Sequence, residues 1–519
     1  MTRSLACSIL QEPSHRDADR AASQVSFIPH QNDLSCVVLY WFRSVHFVFT
    51  ADLSPGSITS ISNFALLGLA YVLFKIVYQI VYYRFLSPLA QFPGPFRESV
   101  TRLWIAYHNV KADEPEAVRE LHQEHGPIIR ITPTMLIVSD ATKLPEIYSC
   151  NANKSKHYIT GSFGDTESLF NMQDHKVHAQ FRNIAASPYA FSNIKRMEPL
   201  IDANIEKWIG KLETLFAKDG KPFDFSPWAV YMAYDISSEV GFGAPFGFIE
   251  QAKDVEGLIQ GFHDGLVPFG LMARLDPFTN WVKGTFLGKH LVASPEQESG
   301  IGTLMCFRDR LIKQHRVHRS RDDNGEPLDL KYIKAEILLV LLAGTDTTGT
   351  AFQAFMKQVM SRPNVYEKMM AEIDGATRAK KLSLCRNTTK SWNITIITSH
   401  GGLELFGMFV PEGTELTCNP WIVHRDTNIY GADADEYKPE RWLDAEQAKL
   451  YNKYSMAFGY GARACLGKDI VSMELYKGPL QFSRAFRPNM VKPGTYVYKG
   501  GISYFEKMDI SIERRATVI

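Results

Sequence analysis

Residues 458–467 read FGYGARACLG and place one cysteine, Cys465, among Gly459, Gly461 and Gly467, with Arg463 two positions before it. A thiol on so bare a loop suits two kinds of chemistry. The first is dinucleotide binding, because GYGARA formally fits GxGxxA. That fingerprint needs a hydrophobic strand directly before it and an acid about twenty residues on. The preceding AKLYNKYSMAF does not alternate cleanly, and no acid follows at that distance. The second is a metal–thiolate loop. A thiolate ligand needs close approach to its metal, and donors or positive charge nearby to hold its pKa down. Glycines permit the tight turn and leave backbone N–H groups free to face the sulfur. Arg463 can pair with a carboxylate, and Phe458 can shield the site from water. KDIVSMELYKGPLQF, after Gly467, predicts a helix whose N-terminal dipole favours the thiolate.

A second polar cluster lies inside an apolar run, EILLVLLAGTDTTGTAFQAFM (336–356). Thr and Asp bend a helix by bonding its own backbone, and Gly weakens it. The plain reading is a polar kink in a buried helix. A third is HAQFR (178–182), whose His178 and Arg182 share one helical face; alone, they read as an ordinary surface pair.

The elements that must position these groups are mostly helical. Residues 194–217 and 333–360 carry apolar residues at three-to-four spacing. Strand-like runs fall at 127–140, 401–416 and 496–515. The reading is a mainly α domain with a minor β part. Residues 64–86 are apolar apart from Lys75, Gln79 and Arg84, and as a helix would span about 34 Å, enough for a bilayer core. Tyr78, Tyr82, Tyr83 and Arg84 resemble an interfacial belt with a positive flank. LSPLAQFPGPF (86–96) holds three prolines and predicts a stiff extended linker. The division is an N-terminal extension (1–60), an anchor (61–86), a proline-rich hinge (87–96) and a catalytic domain (97–519). Residues 34–50 could form a second membrane-associated stretch, or come from a misplaced start codon. Net charge is +1, so nothing in the electrostatics favours nucleic acid. The seven cysteines are scattered, with neither zinc spacing nor a disulfide framework.

Read as FxxGxRxCxG, residues Phe458, Gly461, Arg463, Cys465 and Gly467 resemble the haem-binding signature of the cytochrome P450 monooxygenases. PERW (439–442), AGTDTT (343–348), HAQFR and FPGP (92–95) are similar to further motifs of that family, in the family's order. The resemblance covers about residues 61–519, and its style is that of membrane-bound fungal members of specialised metabolism. It implies the cytochrome P450 fold behind an N-terminal anchor helix, and heme b with Cys465 as the axial thiolate, which favours O–O cleavage. His178, Arg182 and Arg463 become haem-propionate contacts, with Phe458, Gly459, Gly461 and Gly467 shaping the loop. Ala343 and Gly344 leave room for dioxygen, Thr347 holds a water and Asp346 relays protons. The stretches 157–181 and 261–281 fall where the family places a substrate-facing loop and a membrane-facing lid. The resemblance further implies an apolar small-molecule substrate, such as a terpenoid or polyketide. It also implies an NADPH-cytochrome P450 reductase as partner, and a single-pass endoplasmic-reticulum anchor with a cytosolic catalytic domain.

One family element is missing. The window KLSLCRNTTKSWNITIITS (381–399) should hold a Glu-x-x-Arg helix, yet it contains no acid, and nine of its 19 residues are Ser, Thr or Asn. Its WNITII core favours strand. Arg441 would then lose its carboxylate partner, and an unpaired buried charge costs about 3–5 kcal/mol. The window is read as translated intron or a shifted exon edge, as the mark of an inactive haem- or lipid-binding relic, or as a functional variant with a substitute lock.

Overall fold

The computed structural model describes residues 55–158, 166–297, 299–315, 329–378, 395–399 and 401–516. The 34–50 stretch, most of the 381–399 window and part of the 157–181 loop lie outside the described residues. The chain divides into two units between Val77 and Tyr78.

Helix α1 (Pro55–Val81) continues through one wider turn at Tyr82–Leu86. Asn63–Leu86 has a mean hydropathy of 2.0 and is long and apolar enough to cross a membrane, with apolar side chains such as Phe64, Leu67 and Phe74 exposed. The proline segment after it is less extended than its composition predicts. Ser87 caps a short turn at Pro88–Gln91, and Leu89 and Phe92 are buried. Pro93 O accepts a bond from Arg130 N at 2.7 Å, and a Cβ at Gly94 would sit 2.4 Å from Arg130 O. The segment is docked, because its apolar residues find a core and its one glycine permits the close approach.

The longer helices of the second unit are α2 (Leu103–Lys111), α3 (Glu114–His125), α4 (His175–Ala186), α5 (Phe191–Leu212), α6 (Ser226–Phe242), α7 (Leu258–Arg274), α8 (Ile301–His315), α9 (Leu330–Ala343), α10 (Asp346–Met360), α11 (Pro363–Arg378) and α12 (Lys468–Ala485). Trp208 of α5, Phe352 of α10 and Phe482 of α12 are fully buried against one another, with ring centres 5.6–6.2 Å apart. Trp208 donates to Trp228 O of α6 at 2.9 Å, so this aromatic core leaves no polar edge unpaired. It fixes α10 and α12, the two helices that flank the chemistry-bearing residues.

Five strands, β1 (Ile128–Arg130), β2 (Met135–Val138), β3 (Asn153–Lys154), β5 (Thr395–Ile397) and β8 (Glu415–Cys418), form one sheet in the order β1-β2-β8-β5-β3. Only the β2–β8 pair is parallel. β5 lies within the described end of the 381–399 window, and its strand form agrees with its β-branched residues. β4 (Phe223–Asp224), β9 (Phe486–Met490) and β12 (Asp509–Arg514) make a second sheet. β6 (Leu403–Leu405) pairs β7 (Met408–Val410), and β10 (Thr495–Lys499) pairs β11 (Ile502–Glu506).

The expectation for Arg441 is corrected here. Its guanidinium donates to Asp433 Oδ1 at 3.1 Å, to Tyr430 O at 2.6 Å and to Asp433 O at 2.8 Å. A carboxylate eight residues upstream takes the place of the distant one, because the turn after Tyr430 folds back over the arginine.

Candidate functional site

The cysteine loop is a tight reversal. Cys465 N donates to Phe458 O at 2.7 Å, and Gly459 N to Met456 O at 2.9 Å. Gly459 and Gly461 have φ of 72° and 62°, as the sequence predicts, whereas Gly467 has an ordinary φ of −78°. Gly467 acts through its N–H, which bonds the Cys465 thiol, and it opens α12 directly behind the sulfur. Cys465 is exposed within this enclosure. Burial nevertheless pushes its thiol up, against the opposing pull of Gly467 N–H, Arg182 and Lys468. The neighbours do pull the pKa down, and in the free thiol desolvation outweighs them. A metal, which deprotonates a coordinating thiol outright, reverses that balance.

His178 and Arg182 lie on α4, whose first turn is capped by Asp174. They stand with Arg463 in one basic pocket. Arg463 donates to Met172 O at 2.8 Å and Gln173 O at 2.9 Å. A fourth base, Lys154 of β3, escapes sequence reasoning because nothing in NKSKHY marks it as buried. Its ammonium lies 4.4 Å from the Tyr158 ring and 4.2 Å from the Phe170 ring, and donates to Phe170 O. Burial and Arg463 pull Lys154 well below its usual range. Burial, then Arg463, Lys154 and Arg182, bring His178 down to about 3. Burial lowers Arg463 to about 10. The protonated forms of these groups thus disfavour one another in a partly dry place, which leaves His178 neutral, and Asp174, the acid that supports Arg463, is engaged as a helix cap. Among the described residues, Asp174 is the only acid acting on Arg463 here, so the pocket is left short of negative charge. The two carboxylates of a haem would supply it, and the thiol lies within electrostatic reach of Arg182, so the residues present fit that group.

The AGTDTT cluster breaks one long helix into two. α9 ends at Ala343, α10 begins at Asp346, and Gly344 and Thr345 lie between. Side-chain hydroxyls occupy the carbonyls at the break. Thr345 donates to Leu341 O (3.2 Å), Thr347 to Ala343 O (2.8 Å), and Ser237 to Gly344 O (3.1 Å). Ala343, Gly344 and Thr347 are half-buried, while Asp346 is 1% exposed. The break meets the cysteine loop through α12, where the buried Glu474 carboxyl bonds the Thr348 hydroxyl and is held well above the usual carboxylate range by burial. No sequence signal marked Glu474, since a single acid on an amphipathic helix reads as surface.

His424 braces the entry to the loop. Its Nε2 accepts the Met456 N–H at 2.9 Å, and burial lowers its pKa to about 4. Acid therefore protonates His424 first in the unfolded chain, and stability falls as pH drops from about 6.5 towards 4. We expect this residue to remove about 2 kcal/mol between pH 7 and pH 5. His424→Gln keeps an acceptor and lacks the titration, so denaturant unfolding of the two proteins at both pH values should show a smaller acid loss in the variant.

Comparison with known proteins agrees with this architecture. The family described as Cytochrome P450 matches residues 93–391 and 398–491. The gap between the two matched stretches falls inside the 381–399 window. Quiannulatic acid synthase of Emericella variicolor is 39% identical over 441 residues, 76% of this chain and 86% of that protein. Cytochrome P450 monooxygenase gsfF of Penicillium aethiopicum is 29% identical over 473 residues, 82% of this chain and 93% of its own. Cytochrome P450 monooxygenase cicH of Emericella nidulans is 28% identical over 449 residues, 77% and 88% of the two chains. The chain belongs to the cytochrome P450 family, oxidoreductases that use O₂ and bind haem through a cysteine thiolate on the iron.

Proposed function

We propose that the chain inserts one oxygen atom from O₂ into an apolar small molecule of fungal secondary metabolism, a terpenoid or polyketide. The observation that carries this reading is the pairing of a glycine-turned cysteine loop with a basic pocket that lacks its counter-charge. Cys465 Sγ is the iron ligand, tuned by Gly467 N–H, Arg182 and Lys468. Lys154, His178, Arg182 and Arg463 hold the two haem carboxylates, and His178 does so as a neutral N–H donor. Bound haem iron with a thiolate behind it supplies the activation of O₂. Ala343 and Gly344 leave space at the helix break. Asp346 moves protons and Thr347 positions the water that carries them. Electrons come from an NADPH-dependent flavoprotein reductase, and α1 anchors the chain once in the endoplasmic-reticulum membrane with the catalytic domain in the cytosol.

A second reading, an inactive haem- or lipid-binding relic, draws on the missing Glu-x-x-Arg helix. The Asp433 clamp on Arg441 weighs against it, because the arginine that the missing helix would have held is already paired. The test is turnover of the full chain with reductase, NADPH and ¹⁸O₂ over a panel of terpenoids and polyketides. One labelled oxygen per product molecule is expected. A thiolate-type haem spectrum with no labelled product across the panel would favour the relic.

A further inference from the structure

Asp346 is held from outside its own helix. His263 Nε2 lies 3.0 Å from Asp346 Oδ1, and whether the carboxyl is ionised or carries its proton on Oδ2, Oδ1 accepts and the imidazole donates. His263 belongs to α7, 83 positions away. Its ring stacks on Tyr504 of β11 with centres 3.9 Å apart and planes 17° apart, which fixes the direction of the N–H. Tyr504 is 2% exposed, so the stack is part of the core. The two ends of the pair differ in access: the His263 side chain is 18% exposed and that of Asp346 is 1%. Among the described residues, Asp346 Oδ2 has no hydrogen-bond partner. A buried carboxylate oxygen left open is costly, and one kept open beside a helix break full of hydroxyls is a place for exchange.

We propose that His263 is a positioning residue for Asp346 that also hands it protons, so that the acid is fed from α7. This rests on the monooxygenase reading. In each cycle the Oδ2–H bond breaks as its proton enters the site. As hydronium gives a proton to Nδ1, the Nε2–H bond breaks and its proton goes to Asp346 Oδ1, leaving the neutral Nδ1–H tautomer and one water. Rotation of the carboxyl turns the new O–H to the Oδ2 side, and exchange with water, off Nδ1 and onto Nε2, restores the starting tautomer. Charge and protons balance, and no oxidant is needed. The alternative is a staple that joins two helices and does nothing else.

His263→Gln separates them, because its amide can still donate to Oδ1 but cannot pass a proton on. His263→Phe keeps the stack on Tyr504 and removes the donor. Two readouts are combined on the full chain. The first is thermal unfolding of His263→Phe, Asp346→Ala and the double variant, which needs no turnover. The effects should be non-additive; additive effects would mean the two side chains do not interact, and would overturn the proposal. The second is product formed per NADPH consumed, with the solvent deuterium isotope effect on product formation. In His263→Gln, we expect the unfolding midpoint of wild type, a yield lowered roughly tenfold or more, and an isotope effect raised to that of Asp346→Asn. Wild-type yield and isotope effect in His263→Gln would overturn the relay and leave the oxygenase intact. Absence of product from the wild type itself would instead overturn the oxygenase reading, and the relay with it.

Discussion

Cys465→Ala leaves a folded protein that no longer keeps its haem. The argument starts from what the side chain does in the loop. The turn is closed by backbone bonds, Cys465 N to Phe458 O and Gly459 N to Met456 O, and none of these involves the sulfur. The thiol itself is exposed within its enclosure and is destabilised as a thiolate by burial. Truncating an exposed, uncharged thiol creates no large cavity, so the unfolding midpoint should stay close to that of the wild type. With Cys465 as the proposed iron ligand, its loss leaves the basic pocket alone to retain the cofactor. Product formation should fall to background, because the activation of O₂ is the chemistry of the lost cofactor. The checks are the absorption spectrum after gel filtration and labelled-product yield. A variant that retained both would show that the iron ligand lies elsewhere.

Gly461→Ala has the next largest effect, and it acts on the fold. Gly461 combines a φ of 62° with a neighbour that allows no side chain: an added Cβ would lie 2.3 Å from Tyr148 O. Left-handed backbone costs an alanine about 1–2 kcal/mol, and the steric conflict adds to that, giving about 2–4 kcal/mol in all. The strain has nowhere to dissipate. Tyr148 is buried, and its hydroxyl accepts a bond from Cys418 N of β8 at 2.9 Å, so moving it disturbs the five-stranded sheet. Gly467→Ala is the control. Its φ is −78° and its added Cβ would meet Ile470 Cγ2 at 3.7 Å and Cys465 Sγ at 3.9 Å, both ordinary contacts. Unfolding should separate the two glycines clearly, although both belong to the same short motif.

That contrast shows how far the chain can be read as text. The cysteine, the arginine before it and the glycines are contiguous, so their spacing alone carries the loop. The helix break was legible for the same reason, since Thr, Asp and Gly stand together in an apolar run. What each glycine does was not legible, because that depends on Tyr148, some three hundred positions away. Lys154, Glu474 and His263 were missed on similar grounds: each looks ordinary locally, and each gains its role from a partner brought in by tertiary packing. Asp433 is a different case. It lies only eight residues from Arg441 and was overlooked because the resemblance directed attention to a distant acid. The docked proline hinge shows composition overruled by burial: three prolines favour an extended linker, but Leu89 and Phe92 have a core to enter.

The strand order β1-β2-β8-β5-β3 has a consequence for the newborn chain. β2, buried along its whole length, finds its parallel partner only in Glu415–Cys418, about 280 positions later. At roughly 5–20 residues per second, the ribosome needs about 15–55 s to deliver that partner. Until then the edge of Met135–Val138 is an unpaired apolar template, the kind on which strands of other chains add. Synthesis of this protein therefore includes a long interval of exposure to aggregation, and its yield in a foreign host should depend on translation speed and chaperone supply as much as on the stability of the finished fold.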